Sequence, residues 1–224
     1  TLPEAIGNLN SLQQLGLANN QLESLPEALA NLTSLYFLDL TGNQLESLPD
    51  VLGRLSALKV LWLQRNKLTI LSEILGNLAP LRELNLSDNQ LTALPEVLGN
   101  LTQLETLNLY NNQLTSLPES FGNLASLDFL DLHSNLLASL PETFGQLSSL
   151  EFLNLEINQF TFLPEILGQL SHLEDLRITN NPFESLVEQL LQLNALATLY
   201  LDKRLAGDRV AKALEKRKIS VEMM

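Results

Sequence analysis

Residues 94–116 read Leu94-Pro95-Glu96-Val97-Leu98-Gly99-Asn100-Leu101-Thr102-Gln103-Leu104-Glu105-Thr106-Leu107-Asn108-Leu109-Tyr110-Asn111-Asn112-Gln113-Leu114-Thr115-Ser116. In the second half, Leu107 and Leu109 alternate with polar residues, the period of a strand that turns both leucines to one face. In the first half, Pro95 suits the first turn of a short helix, Glu96 puts negative charge near its N-terminus, and Gly99 is placed to end it. The pattern then returns. Its proline half starts at Leu2, Leu25, Leu48, Leu71, Leu94, Leu117, Leu140 and Leu163, each step 23 residues long, with a degraded copy at Leu186. Strands that return so quickly must run parallel, and parallel strands need a crossover, which the proline half supplies. One copy cannot bury its own leucines, whereas stacked copies bury them between neighbours as a continuous core.

The spacings Leu104, Leu107, Leu109, Asn112, Leu114 and Leu81, Leu84, Leu86, Asn89, Leu91 carry a resemblance to leucine-rich-repeat proteins. The L-P-E-x-I/L-G-N-L half resembles the subgroup of Ras-suppressor and scribble-type proteins, many bacterial repeat proteins and the repeat domains of Roco proteins. The resemblance covers residues 2–204. It implies an α/β solenoid: a horseshoe with a parallel β-sheet on the concave face and short helices or 3-10 turns on the convex face. It also implies a structural ladder, Asn20, Asn43, Asn66, Asn89, Asn112, Asn135, Asn158 and Asn181, buried at the turn after each strand and hydrogen-bonded to adjacent repeats. Phe121 and Phe144, where other copies hold Ile6, Leu29 or Leu98, read as core residues.

The composition fits. Hydrophobic residues make up 45% of the 224, enough for a packed core. There is no cysteine, which removes disulfides, thiolate metal sites and cysteine nucleophiles together. The net charge of −13 disfavours nucleic acid and anionic membranes as partners. No apolar run reaches the roughly 20 residues that span a bilayer, and no signal peptide is visible, so the chain reads as cytoplasmic. Thr1 stands directly before a repeat with no initiator Met, the expectation for a fragment of a longer protein. An uncapped first repeat is expected to fray or self-associate.

Several places depart from the pattern. Ser72 replaces the proline of the fourth copy and Pro80 precedes Leu81, so a local distortion is expected there. Residues 203–224 hold 7 basic and 3 acidic residues, the reverse of the preceding chain. Arg204 takes the asparagine position, which ends the ladder. Asp208 to Arg217 then reads as an amphipathic helix with Val210, Ala213 and Leu214 on one face. Residues 1–204 are therefore assigned to the solenoid and 205–224 to a C-terminal cap, whose basic surface also fits a docking site or a lead into a further domain.

The side chains between the strand leucines face outward in columns, one residue per repeat about 5 Å apart. They hold two concentrations of aromatic residues. Phe37, Val60 and Trp62 form an exposed apolar cluster beside Tyr36 and a basic patch of Lys59, Arg65 and Arg82. Tyr110, Phe129, His133 and Phe152 form a second, rimmed by Asp128, Asp131, Glu151 and Glu156. The leucines already fill the core, so these aromatics fit either a partner-binding surface or cross-strand stabilisation of the sheet. The acidic rim suits a basic or amphipathic protein or peptide. Tyr110, His133 and Glu156 share a column and could hold a proton or a metal, yet His172 is remote and no nucleophile or phosphate-loop motif occurs. The chain is thus expected to need no cofactor or metal and to catalyse nothing. The motifs Asn31-Leu32-Thr33, Asn85-Leu86-Ser87 and Asn100-Leu101-Thr102 resemble glycosylation acceptors, but two of them follow from the Asn-Leu-Thr text of the repeat itself.

Overall fold

The computed structural model describes residues 2–224. Among them a single sheet of ten parallel strands runs in strict sequence order, β1 to β10. The strands are β1 Gln14–Gly16, β2 Phe37–Asp39, β3 Val60–Trp62, β4 Glu83–Asn85, β5 Thr106–Asn108, β6 Phe129–Asp131, β7 Phe152–Asn154, β8 Asp175–Arg177, β9 Thr198–Leu201 and β10 Ser220–Met223. Register is uniform: Leu84 sits opposite Leu107 and Leu107 opposite Leu130. Each central leucine from β2 to β9 is fully buried, and its two strand neighbours are half-buried, except Asn154, which is buried. Burying one leucine contributes about 1.5–3 kcal/mol, and the solenoid repeats that contribution strand after strand.

The convex side is built from five-residue 3-10 helices, such as Glu96–Asn100 and Glu119–Asn123. Two details differ from the expected α-type caps. The prolines stand just before these helices in extended conformation, with Pro95 at φ −76° and ψ 152°. The glycines lie inside the helices and do not end them. Their role is close stacking: a Cβ at Gly168 would lie 2.6 Å from the Gln189 carbonyl oxygen of the next repeat. The fourth repeat carries no distortion of its helix, because Ser72 adopts the same extended backbone that proline adopts elsewhere, φ −81° and ψ 160°.

The asparagine ladder interlocks the turns. Asn89 Oδ1 accepts from Leu68 N at 3.0 Å, while its amide nitrogen donates to Leu63 O and Leu86 O at 3.0 Å each. The same three bonds recur at Asn43, Asn66, Asn112, Asn135, Asn158 and Asn181. Asn20 departs from expectation: it is exposed and, among the described residues, its side chain bonds only within its own turn, to Leu17 O and Ala18 O. Before each ladder asparagine the backbone turns left-handed, as at Arg65 and Asp88.

At the C-terminal end, Asp208 caps helix α1 (Arg209–Lys216) through the amides of Val210 and Ala211. Val210, Ala211 and Leu214 are buried; Ala213, assigned to that face from sequence, is only half-buried. Arg217 donates to Leu191 O and Leu193 O. The chain does not stop at the helix. β10 adds to β9 in parallel, pairing Val221 with Leu199. The alternation of Ile219, Val221 and Met223 is the signal for this strand that the sequence reading passed over.

Candidate functional site

Short strands with one buried leucine each leave two outward residues per repeat, and parallel register aligns them into rows. The row leading into the strands is fixed by backbone bonds linking Lys59, Arg82, Glu105, Asp128, Glu151 and Glu174 in succession, at 2.8 or 2.9 Å. It begins basic and becomes acidic. Arg82 pairs with Glu105, so the charge left without a partner in this row is Lys59 at one end and Asp128, Glu151 and Glu174 at the other, among the described residues. Burial, and then Glu151 and Glu105, push the Asp128 carboxyl above the usual carboxylate range. Arg65 does not join Lys59 and Arg82. It follows β3 in the left-handed turn and faces Asp88 at 3.7 Å. The expected basic patch is thus split across the width of the ribbon, because strand β3 and the two residues after it separate Lys59 from Arg65.

The aromatics lie on the concave face, but half-buried and not freely exposed, because they cover one another. Phe37 meets Trp62 edge to face at 5.0 Å, and the indole nitrogen donates to Glu83 at 2.6 Å. Phe129 stacks on Phe152 at 4.5 Å with nearly parallel rings. Tyr110 and His133 pair separately, at 5.0 Å. The second cluster is therefore two pairs flanking a polar row that contains Asn108, Asp131 and Asn154. Burial raises the Asp131 carboxyl, while the hydrogen bond it accepts from His133 N opposes that shift.

The column of Tyr110, His133 and Glu156 does not assemble an acid–base pair. Glu156 instead accepts from Thr179 Oγ1 at 2.5 Å. Thr41 Oγ1, Gln64 Oε1 and His133 Nε2, all in this column, are buried without a hydrogen-bond partner among the described residues. No group of three or more metal-binding side chains occurs among the described residues.

Two residues were missed from sequence. Arg177 places its guanidinium over the rings of Phe152, at 5.0 Å, and Tyr200, at 4.6 Å, and its Nε donates to Asp175 at 3.0 Å. Asp175, first among the causes, raises the Arg177 pKa. The aromatic surface begun by Phe129 therefore continues through Phe152 and Arg177 to Tyr200. The signal was available: all four occupy strand positions two residues apart, in rows that alignment of the repeats makes adjacent.

Parallel ribbon, convex 3-10 turns and interlocked asparagines define a leucine-rich-repeat solenoid. The chain belongs to the leucine-rich repeat region family, whose model matches residues 1–93 and 93–220. No curated protein matches it. Among solved structures it is similar to a leucine-rich-repeat protein of Leptospira interrogans, with 31% identity and a TM-score of 0.71, over 92% of this chain and 60% of that one. An internalin from Listeria monocytogenes aligns with all of this chain and 64% of its own at a TM-score of 0.83, and its 24% identity shows the fold alone. The PEPR1–AtPEP1 structure shares 33% identity over 90% of this chain and 34% of that one, with a TM-score of 0.72. The chain spans less than two thirds of the length of each of these relatives.

Proposed function

We propose that the chain is a non-catalytic protein-interaction module that takes a basic or amphipathic protein or peptide segment on its concave face. The observation that carries this reading is the Phe129–Phe152–Arg177–Tyr200 surface beside the acidic stretch Asp128, Glu151 and Glu174. The fold does not require these side chains, because the same rows hold Gln14, Thr106, Asn85 and Gly16 in other repeats. Half-exposed aromatics beside uncompensated charge have the character of hot spots, which anchor a partner by apolar contact and orient it by charge. Lys59 at the far end of the row gives the bound segment a direction: its basic part lies over Asp128 to Glu174 and its acidic part over Lys59. Partners captured by affinity and identified by mass spectrometry are expected to be lost with Trp62→Ala and with Phe129→Ala. Full retention by both variants, with circular dichroism unchanged, overturns the reading.

Within this reading the chain is a scaffold or sensor part of a larger intracellular signalling protein. A second reading is an exported bacterial effector or adhesin that engages host molecules; the likeness to the Leptospira interrogans leucine-rich-repeat protein supports its bacterial part alone. A GTPase domain in the full-length gene selects the first; a signal peptide selects the second.

A further inference from the structure

The repeats are internal standards. The fold builds each position many times, so a residue that breaks its row marks something the fold does not ask for. On the flank that follows the strands, the row of Gln44, Gln90 and Gln113 is broken by Lys67, Leu136 and Pro182. The row of Ser24, Ser47, Ser116, Ser139 and Ser185 is broken by Ile70, Ala93 and Phe162. The left-handed row of Asn19, Asp88 and Asn111 holds polar residues or glycine at its other described positions and an apolar side chain only at Ile157. Leu136, Ile157, Phe162 and Pro182 fall on three consecutive repeats, whereas the other large apolar departure, Ile70 at 60% exposed, lies in the third repeat, whose turn carries the charged Arg65 and Lys67. Leu136 is 41% exposed, Ile157 48% and Phe162 83%, so the core does not claim them.

Two further observations show that the residues are more than chance surface hydrophobics. Ile157 has φ +48°, a conformation that a β-branched side chain adopts only at a cost. The asparagine, aspartate or glycine at Asn19, Gly42, Asp88, Asn111 and Asn180 avoids much of that cost, so Ile157 is held against the local backbone preference, as strained residues at functional sites are. Phe162 also walls a cleft of about 440 Å³ with Pro182, Val187 and Glu184. Glu184 is the one ionisable residue in the stretches 134–140, 157–163 and 180–186.

We propose that this flank is a second docking surface, separate from the concave face, for a partner segment that carries a bulky apolar side chain beside a lysine or arginine. The apolar side chain enters the cleft between Phe162 and Pro182, and the neighbouring chain lies along Leu136 and Ile157. The cation meets Glu184. An exposed ion pair contributes little by itself, so Glu184 selects and orients while Phe162 supplies most of the affinity. The patch spans only two strand spacings, roughly 10 Å, a size that suits a short segment better than a globular face.

The test is a displayed library of short random peptides, panned on the folded wild-type chain and counter-selected on Phe162→Ser. Serine is the residue that most other repeats hold at this position, so the variant keeps the fold. Enriched peptides are expected to pair an apolar residue with a nearby Lys or Arg. They are expected to bind Phe162→Ser about tenfold or more weakly, as for loss of one buried aromatic anchor. Glu184→Gln weakens them less, and Trp62→Ala not at all. Ile157→Asn is expected to weaken them while raising the thermal midpoint by about 2–4 °C. No enrichment over Phe162→Ser, peptides lacking either feature, or equal loss with Trp62→Ala each overturns the proposal. So does a fall in midpoint with Ile157→Asn, which would give Ile157 a packing role. If sedimentation shows a wild-type dimer that Phe162→Ser dissociates, a second copy occupies the flank and the assignment to a peptide segment fails.

Discussion

The side-chain amide of Asn89 satisfies one backbone amide and two carbonyls that the solenoid buries at its turn. Alanine there leaves them unpaired in the interior, at about 1–3 kcal/mol. Asn89→Ala is therefore expected to shift the denaturation curve by that amount. Asn20→Ala, which removes only exposed bonds within one turn, is expected to stay within about 0.5 kcal/mol of wild type. Asp128 gives a prediction of opposite sign. Its carboxyl is raised by burial and by Glu151 and Glu105, so the folded chain holds the proton more tightly than the unfolded chain. Stability then falls as pH rises through the carboxylate range. Asp128→Asn is expected to melt higher than wild type near pH ~7, with the difference shrinking below pH ~4. Calorimetry at the two pH values checks this. An ionised Asp128 that costs stability without a partner fits a side chain kept for binding.

The 3-10 helices pack as closely as the strands, and glycine makes this possible. Gly168→Ala would bring a Cβ to 2.6 Å from Gln189 O and 2.7 Å from Gln189 Cβ, and is expected to destabilise the chain by about 1–3 kcal/mol in urea titration. Gly16→Ala meets nothing within 4 Å and is expected to be neutral or slightly stabilising. The repeat, the strands and the buried leucines were legible in sequence because a period of 23 residues leaves one way to stack. The glycine role was not, because a glycine at a helix end and one under a neighbouring backbone read alike in one dimension. The site was legible by column but not by pairing. Phe129 and Phe152 could be placed together, whereas the splitting of Arg65 from Lys59 and Arg82 depended on where the left-handed turn begins. Arg177 was overlooked because a cation among aromatics reads as rim until its distances to Phe152 and Tyr200 are known.

Across the whole molecule, stability follows the neighbours each repeat has. The central leucines from β2 to β9 are fully buried, whereas Leu15 in β1 is only half-buried and Leu9 is 50% exposed. Solenoid stability sums contributions from repeats and their interfaces, so opening is expected to begin where interfaces are fewest. Hydrogen exchange should show the Leu15 amide exchanging faster than that of Leu107 in β5. Equal protection would mean that the first repeat is held by more than its contacts to the second.

The strict register from β1 to β10 makes the chain a ruler with a fixed graduation. Excising residues 94–116 would join Ala93 to Leu117 in phase and bring the Trp62 end closer to the Phe129 end by one strand spacing, ~4.8 Å. Duplicating the same unit would lengthen the gap by one graduation. A ligand that bridges both ends would register each change as a step, so its own length can be measured in whole repeats.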